Sequence, residues 1–208
     1  MKNKLPSKGL YAITPDNIDS KTLYSNVELA LQGGIALLQY RDKTNSAEEK
    51  LQRANTLHTL CLRYGVPLII NDEAELALAC NAEGVHLGQT DGFIQQARAL
   101  LGDNAIIGVT CHHDVSLAIT SQQQGADYIA FGRFYNSNTK PGKPLATLDT
   151  LKTAQNELSI PIVAIGGINK NNGGVLVRSG ADFLAVVEQV FSADDIVISC
   201  QKLTTLFA

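Results

Sequence analysis

The 208-residue chain contains no tryptophan, a single methionine and only 6% aromatic residues. It has no run near the ~18 consecutive apolar residues that a membrane-spanning helix needs, and its lysine-containing start lacks the apolar stretch of a signal peptide. It also lacks a basic run or stripe, and its net charge is −3. Because nucleic-acid binding depends on clustered positive charge, we expect neither a membrane nor a nucleic acid among its partners.

Cysteine pairs are missing as well. The four cysteines show no Cys-x-x-Cys pair and no metal-type spacing: Cys61, Cys80, Cys111 and Cys200. This pattern predicts free thiols in a reducing compartment, so the expected location is cytoplasmic. What the chain does have is 45% hydrophobic and 18% charged residues, a balance typical of a protein with a packed core.

Short, β-branched apolar runs alternate with segments of helical spacing along the whole chain. Eight such runs predict strands at Leu10–Thr14, Ala36–Arg41, Pro67–Asn71, Gly84–Leu87, Ala105–Val109, Tyr128–Phe131, Ile160–Ile165 and Phe183–Val187. Strands that are apolar on both faces, separated by amphipathic helices, indicate a parallel sheet covered by helices.

Eight strand–helix units of about 26 residues each fit a small (β/α)₈ barrel. The competing α/β fold, a doubly wound open sheet, usually has fewer strands and a glycine-rich turn after the first one. Here Thr14, Pro15 and Asp16 follow the first strand instead. We therefore predict an α/β fold consisting of a single (β/α)₈ TIM-barrel domain over residues 1–208.

Polar residues gather at the carboxyl ends of the predicted strands, where barrel enzymes carry their chemistry. They are Thr14, Gln39–Lys43, Asn71, Asp72, His86, Gln89, Asp91, Thr110, His112, Arg133, Ser137–Lys140 and Glu188, and Gly166, Gly167 and Val187 lie at the same strand ends. The opposite strand ends begin with glycine, alanine, proline or a loop residue. This asymmetry predicts a site at one mouth of the barrel.

The second strand ends in an unusual set of charges. Strand alternation places Gln39, Arg41 and Lys43 on one side and Tyr40 and Asp42 on the other. A cationic pair on the core side suits a bound diphosphate, and a glutamine amide suits the edge of a heterocycle. The alternative is a surface rim in which Arg41 and Lys43 pair with Asp42 or Asp72.

Asp72 and Asp91 follow neighbouring strands, so their carboxylates are expected to share a Mg²⁺ with phosphate oxygens. The alternative is that each caps the helix that follows it. His112, His113 and Asp114 could supply a base or a metal ligand, but we expect Asp114 to cap a helix.

Two further segments suit phosphate groups. The polar loop Ser137–Lys140 offers hydroxyls and one ammonium, although an ordinary surface loop would look the same. Gly166-Gly167 lets backbone N–H groups approach a phosphate, before an expected cap at Asn169. The last βα loops of a barrel are its usual phosphate site.

Together these residues resemble the thiamine-phosphate synthase family from the first strand to the last. The motifs that carry the resemblance are Gln39–Lys43, Asn71-Asp72, Gly84–Gln89 with Asp91, Gly108–Thr110, Ser137–Lys140 and Ala164–Ile168. The family couples 4-amino-2-methyl-5-hydroxymethylpyrimidine diphosphate to 4-methyl-5-(2-phosphoethyl)thiazole. The resemblance thus implies a transferase with two phosphorylated small-molecule substrates, and it leaves open assembly into a homo-oligomer.

The resemblance also implies residue roles. Gln39 would contact the pyrimidine, and Tyr40 and Asp42 lie within the same substrate-binding motif. A catalytic set would hold the diphosphate: Arg41, Lys43, Thr110 and Lys140, assisted by Asn71. Asp72 and Asp91 would hold Mg²⁺. The thiazole phosphate would meet Ser137, Asn138, Thr139, Gly167 and the backbone at Val187 and Glu188.

The chain departs from the family pattern at four positions. Arg133 replaces a common proline, Ser137 a threonine and Thr110 a serine. Glu188 replaces serine or glycine, and we expect its carboxylate to point away from the phosphate. Three alternatives remain: a thiazole tautomerase-like relative with His112 as acid and base, a non-catalytic ligand-binding barrel, or another phosphate-handling barrel isomerase.

Overall fold

The computed structural model describes residues 5–90, 92–136 and 146–208. Eight parallel strands close into a barrel in sequence order, with β1 paired to β8. The strands are β1 Gly9–Ile13, β2 Leu37–Tyr40, β3 Leu68–Asn71, β4 Gly84–Leu87, β5 Ile106–His112, β6 Tyr128–Gly132, β7 Ile162–Ile165 and β8 Phe183–Val186. The predicted (β/α)₈ barrel is confirmed.

Helices cover the outside of the barrel. They are α1 Ser20–Gln32, α2 Ala47–Tyr64, α3 Ala74–Ala79, α4 Ile94–Leu101, α5 Val115–Gln123, α6 Leu148–Glu157, α7 Gly173–Arg178, α8 Glu188–Phe191 and α9 Ile196–Thr204, followed by a 3₁₀ turn at Thr205–Phe207. Within the three described ranges, no helix is both long and apolar enough to cross a membrane. All four cysteines are buried and free of disulfides.

The fifth strand is the main correction to the predicted boundaries. We predicted that it ends at Val109, but β5 continues to His112. The register against β6 shifts between Thr110 and His112, so Cys111 is an extra residue in this strand. Such a bulge depends on the pairing with a neighbouring strand, and the local apolar pattern therefore could not predict it.

Two apolar layers follow from strand alternation. The barrel interior holds a small cluster that includes Tyr11, Leu37, Ile69, Tyr128 and Phe183. A larger cluster fills the space between strands and helices. Burial on both strand faces explains why the strands are apolar throughout.

The amino-terminal end of the barrel is closed by carboxylates that bind backbone amides. Glu83 accepts a hydrogen bond from the Leu68 amide, Asp127 from Ile107 and Asp182 from Ile162, each at 2.8 Å. In each case the carboxylate directly precedes an even-numbered strand and binds the odd-numbered strand before it. These contacts tie adjacent strands together where no polar cluster was predicted.

Candidate active site

A group of four alternating charges lies at the carboxyl ends of β1, β2 and β3. Arg41 forms an ion pair with Asp16, and Lys43 forms one with Asp72. The Lys43 amide also donates to the Asp16 carboxylate at 3.1 Å. The Lys43 side chain is 47% exposed, and that of Arg41 is 21% exposed. The two cations therefore sit at an open rim, where an anionic ligand can replace their carboxylate partners.

The backbone of Arg41 is held by the buried Thr14 hydroxyl. Thr14 Oγ1 accepts from the Arg41 amide at 2.9 Å and lies 3.1 Å from the Arg41 carbonyl oxygen, to which it donates. Because Thr14 follows β1, the end of the first strand fixes the position of Arg41 at the end of the second strand. In the alternative of a surface rim, Arg41 and Lys43 would pair with Asp42 or Asp72. Lys43 does pair with Asp72, but the partner of Arg41 is Asp16.

Tyr40 and Asp42 lie on the other side of the strand, as alternation predicted. Both are buried, and the Tyr40 hydroxyl donates to Asp42 at 2.8 Å. Asp42 also accepts from the Asn45 side chain and from the Thr44 and Asn45 amides. Burial alone would raise the pKa of Asp42, but these hydrogen bonds outweigh it and hold the pKa well below its ordinary value. Their side chains therefore order the start of α2 and do not line the mouth.

Polar side chains also enter the barrel interior from four neighbouring strands. They occupy inward positions on β2 to β5: Gln39, Asn71, His86 and Thr110. Gln39 is 3% exposed and His86 is 8% exposed. Because the interior is otherwise apolar, these groups must find partners inside the barrel.

Two tyrosines from β1 and β6 supply those partners. Gln39 Nε2 donates to the Tyr11 hydroxyl at 2.8 Å, which lies 2.8 Å from the Tyr128 hydroxyl. The Tyr128 oxygen is 2.9 Å from His86 Nδ1, and His86 Nε2 is 2.8 Å from Thr110 Oγ1. Burial raises the pKa of both tyrosines, so they stay protonated at neutral pH. We call this five-residue chain the interior network.

Asp72 directly follows β3, as the predicted strand boundary implied. Its Oδ2 accepts from Asn71 Nδ2 at 2.6 Å as well as from Lys43. The capping alternative is wrong for Asp72, because the N-cap residue of α3 is Glu73, which forms no side-chain capping hydrogen bond. Asp91 lies outside the described residues, but its neighbour Gly92 shares a pocket with Asp72. No group of three or more metal-ligand side chains occurs in the part of the chain that the structure describes.

The end of β7 packs against the chain leaving β6. A Cβ on Gly166 would lie 2.3 Å from Arg133 Cβ, and one on Gly167 would lie 2.4 Å from the Asn136 carbonyl oxygen. Both glycines also have positive φ angles of 103° and 62°. They thus bring Asn136 beside Gly167. Ser137, Asn138, Thr139 and Lys140 follow directly but lie outside the described residues.

The remaining predicted positions have simple outcomes. Val187 immediately precedes α8, and Glu188 is exposed in its first turn. Asp114 caps α5 as predicted, accepting from the Leu117 amide at 3.0 Å. Asn169 was predicted to cap α7, which is wrong: it binds the amides of a preceding turn, and α7 begins after Asn172.

Sequence reasoning missed Asp16, Tyr11 and Tyr128 as parts of the site. In the sequence, Asp16 served only to show that no glycine-rich turn follows the first strand. Tyr11 and Tyr128 were included in apolar strands, although a phenol at an inward position is a signal that a polar partner is needed. Their meeting across the barrel could not be read from spacing, since β1 and β6 are not neighbours in the sheet.

Several known proteins are similar to this chain in sequence and in fold. A family model described as thiamine monophosphate synthase matches residues 10–190. This chain belongs to the thiamine monophosphate synthase family. Thiamine-phosphate synthase from Marinobacter nauticus is 54% identical over 184 residues, covering 88% of this chain and 82% of that protein. The protein of the same name from Methylococcus capsulatus is 44% identical over 211 residues, covering 100% and 94%.

A solved structure agrees with the family assignment. Thiamine phosphate pyrophosphorylase from Pyrococcus furiosus matches with a TM-score of 0.85 at 31% identity, covering 99% of this chain and 96% of that one. The resemblance found in the sequence is confirmed. The chain is accordingly a transferase of thiamine biosynthesis that acts on small molecules.

Proposed function

We propose that this barrel joins the two phosphorylated heterocycles at its carboxyl-terminal mouth, with the pyrimidine diphosphate beside the ends of β2 to β5. The observation that carries the proposal is the convergence of Arg41 and Lys43 above the polar inward residues of these strands. The resemblance assigns Gln39 to the pyrimidine and Arg41, Lys43, Asn71, Thr110 and Lys140 to the diphosphate. Ser137, Thr139, Gly167 and the backbone at Val187–Glu188 would take the thiazole phosphate.

The ion pairs at the mouth support a diphosphate ligand. A carboxylate and a phosphate oxygen compete for the same cations, and an arginine fork binds either in a bidentate manner. Because Arg41 and Lys43 are partly exposed, exchange of Asp16 and Asp72 for the ligand needs no opening of the core. In this proposal the two aspartates keep the cations in place until the diphosphate arrives.

The residues at the end of β3 fit a divalent cation. Asp72 offers an anionic oxygen, and within the described residues its Oδ1 has no hydrogen-bond partner. Asp72 and Asp91 would hold Mg²⁺, which prefers such hard oxygen ligands and neutralises charge on phosphate oxygens. Asp91 remains a prediction from the family motif.

The reaction needs charge stabilisation more than a protein nucleophile. The bond between the pyrimidine methylene carbon and the diphosphate oxygen breaks, and the diphosphate leaves with the electron pair. The aminopyrimidine stabilises the resulting cation, and the thiazole nitrogen supplies the pair for the new carbon–nitrogen bond. Arg41, Lys43 and Lys140 would stabilise the leaving diphosphate, and the barrel mouth would align the two rings.

A two-substrate assay tests this proposal. We expect thiamine phosphate and diphosphate to form together, and only when both substrates and Mg²⁺ are present. Lys140→Ala should lower kcat by about two orders of magnitude without changing the melting temperature. Isomerisation of a thiazole without the pyrimidine diphosphate would favour the tautomerase alternative. Tight binding of both substrates without diphosphate release would favour a non-catalytic barrel.

A further inference from the structure

The interior network runs from the residue assigned to the pyrimidine to the residue assigned to the diphosphate. It begins at Gln39 on β2 and ends at Thr110 on β5, with Tyr11, Tyr128 and His86 between them. None of these three intermediate residues has been assigned a role toward a substrate, although His86 lies within the family motif Gly84–Gln89. Their four hydrogen bonds span 2.8–2.9 Å. A buried, continuous chain of this kind fixes its members against one another.

The number of available hydrogens restricts the direction of the chain. Gln39 Nε2 donates to Tyr11, whose oxygen therefore acts as the acceptor in that bond. The single phenolic hydrogen of Tyr11 is then available to Tyr128, and that of Tyr128 to His86 Nδ1. A neutral imidazole that accepts at Nδ1 carries its hydrogen on Nε2 and donates it to Thr110 Oγ1. In this direction every bond has one hydrogen and both phenolic hydrogens have an acceptor. In the opposite direction the Tyr11 oxygen would accept twice, and the network would offer its buried phenolic hydrogen no acceptor.

The opposite direction would give Thr110 a different role. If Thr110 donated to His86 Nε2, its only hydrogen would point into the barrel interior. In the direction set by Gln39, the Thr110 oxygen accepts from His86 and its own hydrogen is left for the mouth. Only this second arrangement lets Thr110 donate to an anion.

We propose that the interior network makes Thr110 a hydrogen-bond donor to the leaving diphosphate, with His86 as the positioning residue that enforces this role. The inference rests on the proposed function, because it takes Thr110 to contact the diphosphate. It assigns Tyr11 and Tyr128 a part in turnover that acts only through His86 and Thr110. The network also couples the side-chain orientation of Gln39, assigned to the pyrimidine, to the hydroxyl orientation of Thr110, assigned to the diphosphate.

The packing around Tyr128 holds its hydroxyl in the position that the interior network needs. Gly108 lies on β5 beside Tyr128, and a Cβ at Gly108 would lie 1.9 Å from the Tyr128 Cζ atom. The Tyr128 ring also stacks on His86, with ring centroids 5.6 Å apart and an interplanar angle of 19°. The absence of a side chain at Gly108 is therefore what lets the phenol reach both Tyr11 and His86.

A double-mutant cycle between Tyr128→Phe and Thr110→Val tests the inference with the full chain, both substrates and Mg²⁺. Thr110→Val should lower kcat ~100-fold, since it removes one donor to developing charge. Tyr128→Phe should lower kcat ~10-fold in the natural background. Since it acts through Thr110, it should change kcat by less than about twofold in the Thr110→Val background. The KM for the thiazole phosphate should stay the same in all three variants.

A second pair of variants does not depend on the tyrosine. His86→Gln retains an N–H donor at roughly the place of Nε2, whereas His86→Leu retains none. We expect the glutamine variant to keep a kcat several-fold higher than the leucine variant at similar melting temperatures. Ser121→Ala is the control, because it removes a buried hydroxyl that contacts Cys111 outside the interior network. It should keep the natural kcat.

The outcomes separate this inference from the proposed function. Equal effects of Tyr128→Phe in both backgrounds, or equal kcat values for His86→Gln and His86→Leu, would overturn the inference alone. A natural kcat in Thr110→Val would overturn both the inference and the assignment of Thr110 to the diphosphate. Failure of the unaltered protein to form thiamine phosphate would overturn the proposed function itself.

Discussion

The two ends of the barrel use similar charged residues in different ways. At the amino-terminal end, Asp127 and Asp182 bind backbone amides of neighbouring strands, and Arg98 binds three backbone carbonyls together with Asp127. At the carboxyl-terminal end, Arg41 and Lys43 bind only the side chains of aspartates at the rim. Charges held by backbone groups are committed to the fold, whereas charges held by other side chains remain available for a ligand.

Asp42 shows that position along the chain does not decide this difference. It lies at the carboxyl-terminal end of β2, between the two cations. Yet it accepts hydrogen bonds from two backbone amides and three side chains of its own segment. Asp42 is therefore one of the charges that stabilise the fold. Its role follows from strand alternation, which points its side chain away from the barrel mouth.

The comparison predicts opposite effects for two arginines, and the larger effect is at the mouth. Arg41→Ala should lower kcat by ~10²–10³-fold, because the leaving diphosphate loses a bidentate cation. Its melting temperature should stay within a few degrees of the natural value, because the Arg41–Asp16 pair is partly exposed. Steady-state kinetics and thermal melting measure the two effects. An unchanged kcat would remove Arg41 from the diphosphate site.

Asp72→Ala tests whether the reaction rate depends on Mg²⁺ bound at the carboxyl-terminal mouth. The variant should lose most of the dependence of the rate on Mg²⁺ concentration, and its kcat should fall by ~10²-fold, because one of two anionic ligands is gone. A Mg²⁺ titration of the rate measures this. Asp127→Asn is the matched control at the other end of the barrel and should keep the natural Mg²⁺ dependence. An Asp72→Ala variant that responds to Mg²⁺ like the unaltered protein would contradict the metal assignment.

Arg98→Ala should produce the reverse of the Arg41 result. It removes hydrogen bonds to Gly102, Ala105, Gly125 and Asp127. We expect a loss of ~2–3 kcal/mol in the free energy of unfolding, which lowers the melting temperature by ~4–12 °C. Because Arg98 is remote from the mouth, kcat should be retained below the melting range. A large loss of kcat at full stability would break the distinction between the two ends.

Asp42→Asn should weaken the fold in a pH-dependent manner. The folded-state pKa of Asp42 lies below its ordinary value of 3.8. Its ionised form therefore adds stability that is fully present above pH 3.8 and is lost as the pH falls through the folded-state pKa. At neutral pH we expect a loss of ~1–3 kcal/mol in the free energy of unfolding. Denaturant unfolding from neutral pH to pH 3 should show the difference from the natural protein shrinking in acid.

Asp182→Asn should have the smallest effect, with the opposite sign. Burial raises the pKa of Asp182, and the hydrogen bond from the Ile162 amide only partly offsets it. Ionisation therefore costs stability as the pH rises above 3.8, and an asparagine keeps an acceptor for that amide. The variant should match or exceed the natural stability at neutral pH by less than ~1 kcal/mol. Clear destabilisation at neutral pH would show that the charge itself holds β7.

Much of the fold could be predicted because strand and helix periodicity are local. The predicted β4 has the observed bounds, and most other strands differ by one or two residues. Position at a strand end was enough to locate Arg41, Lys43 and Asp72, since parallel strands present their carboxyl ends to one mouth. The bulge in β5 was missed because it depends on the register against β6.

The sequence by itself determined the barrel, the mouth at which the polar residues gather, and the family to which the chain belongs, because these depend on periodicity and on short motifs. Only the tertiary structure decided that Asp16 pairs with Arg41 and that Tyr11 meets Tyr128. Those contacts join positions 25 and 117 residues apart. Barrel closure brings them together, and no local pattern records which side chains meet across its interior.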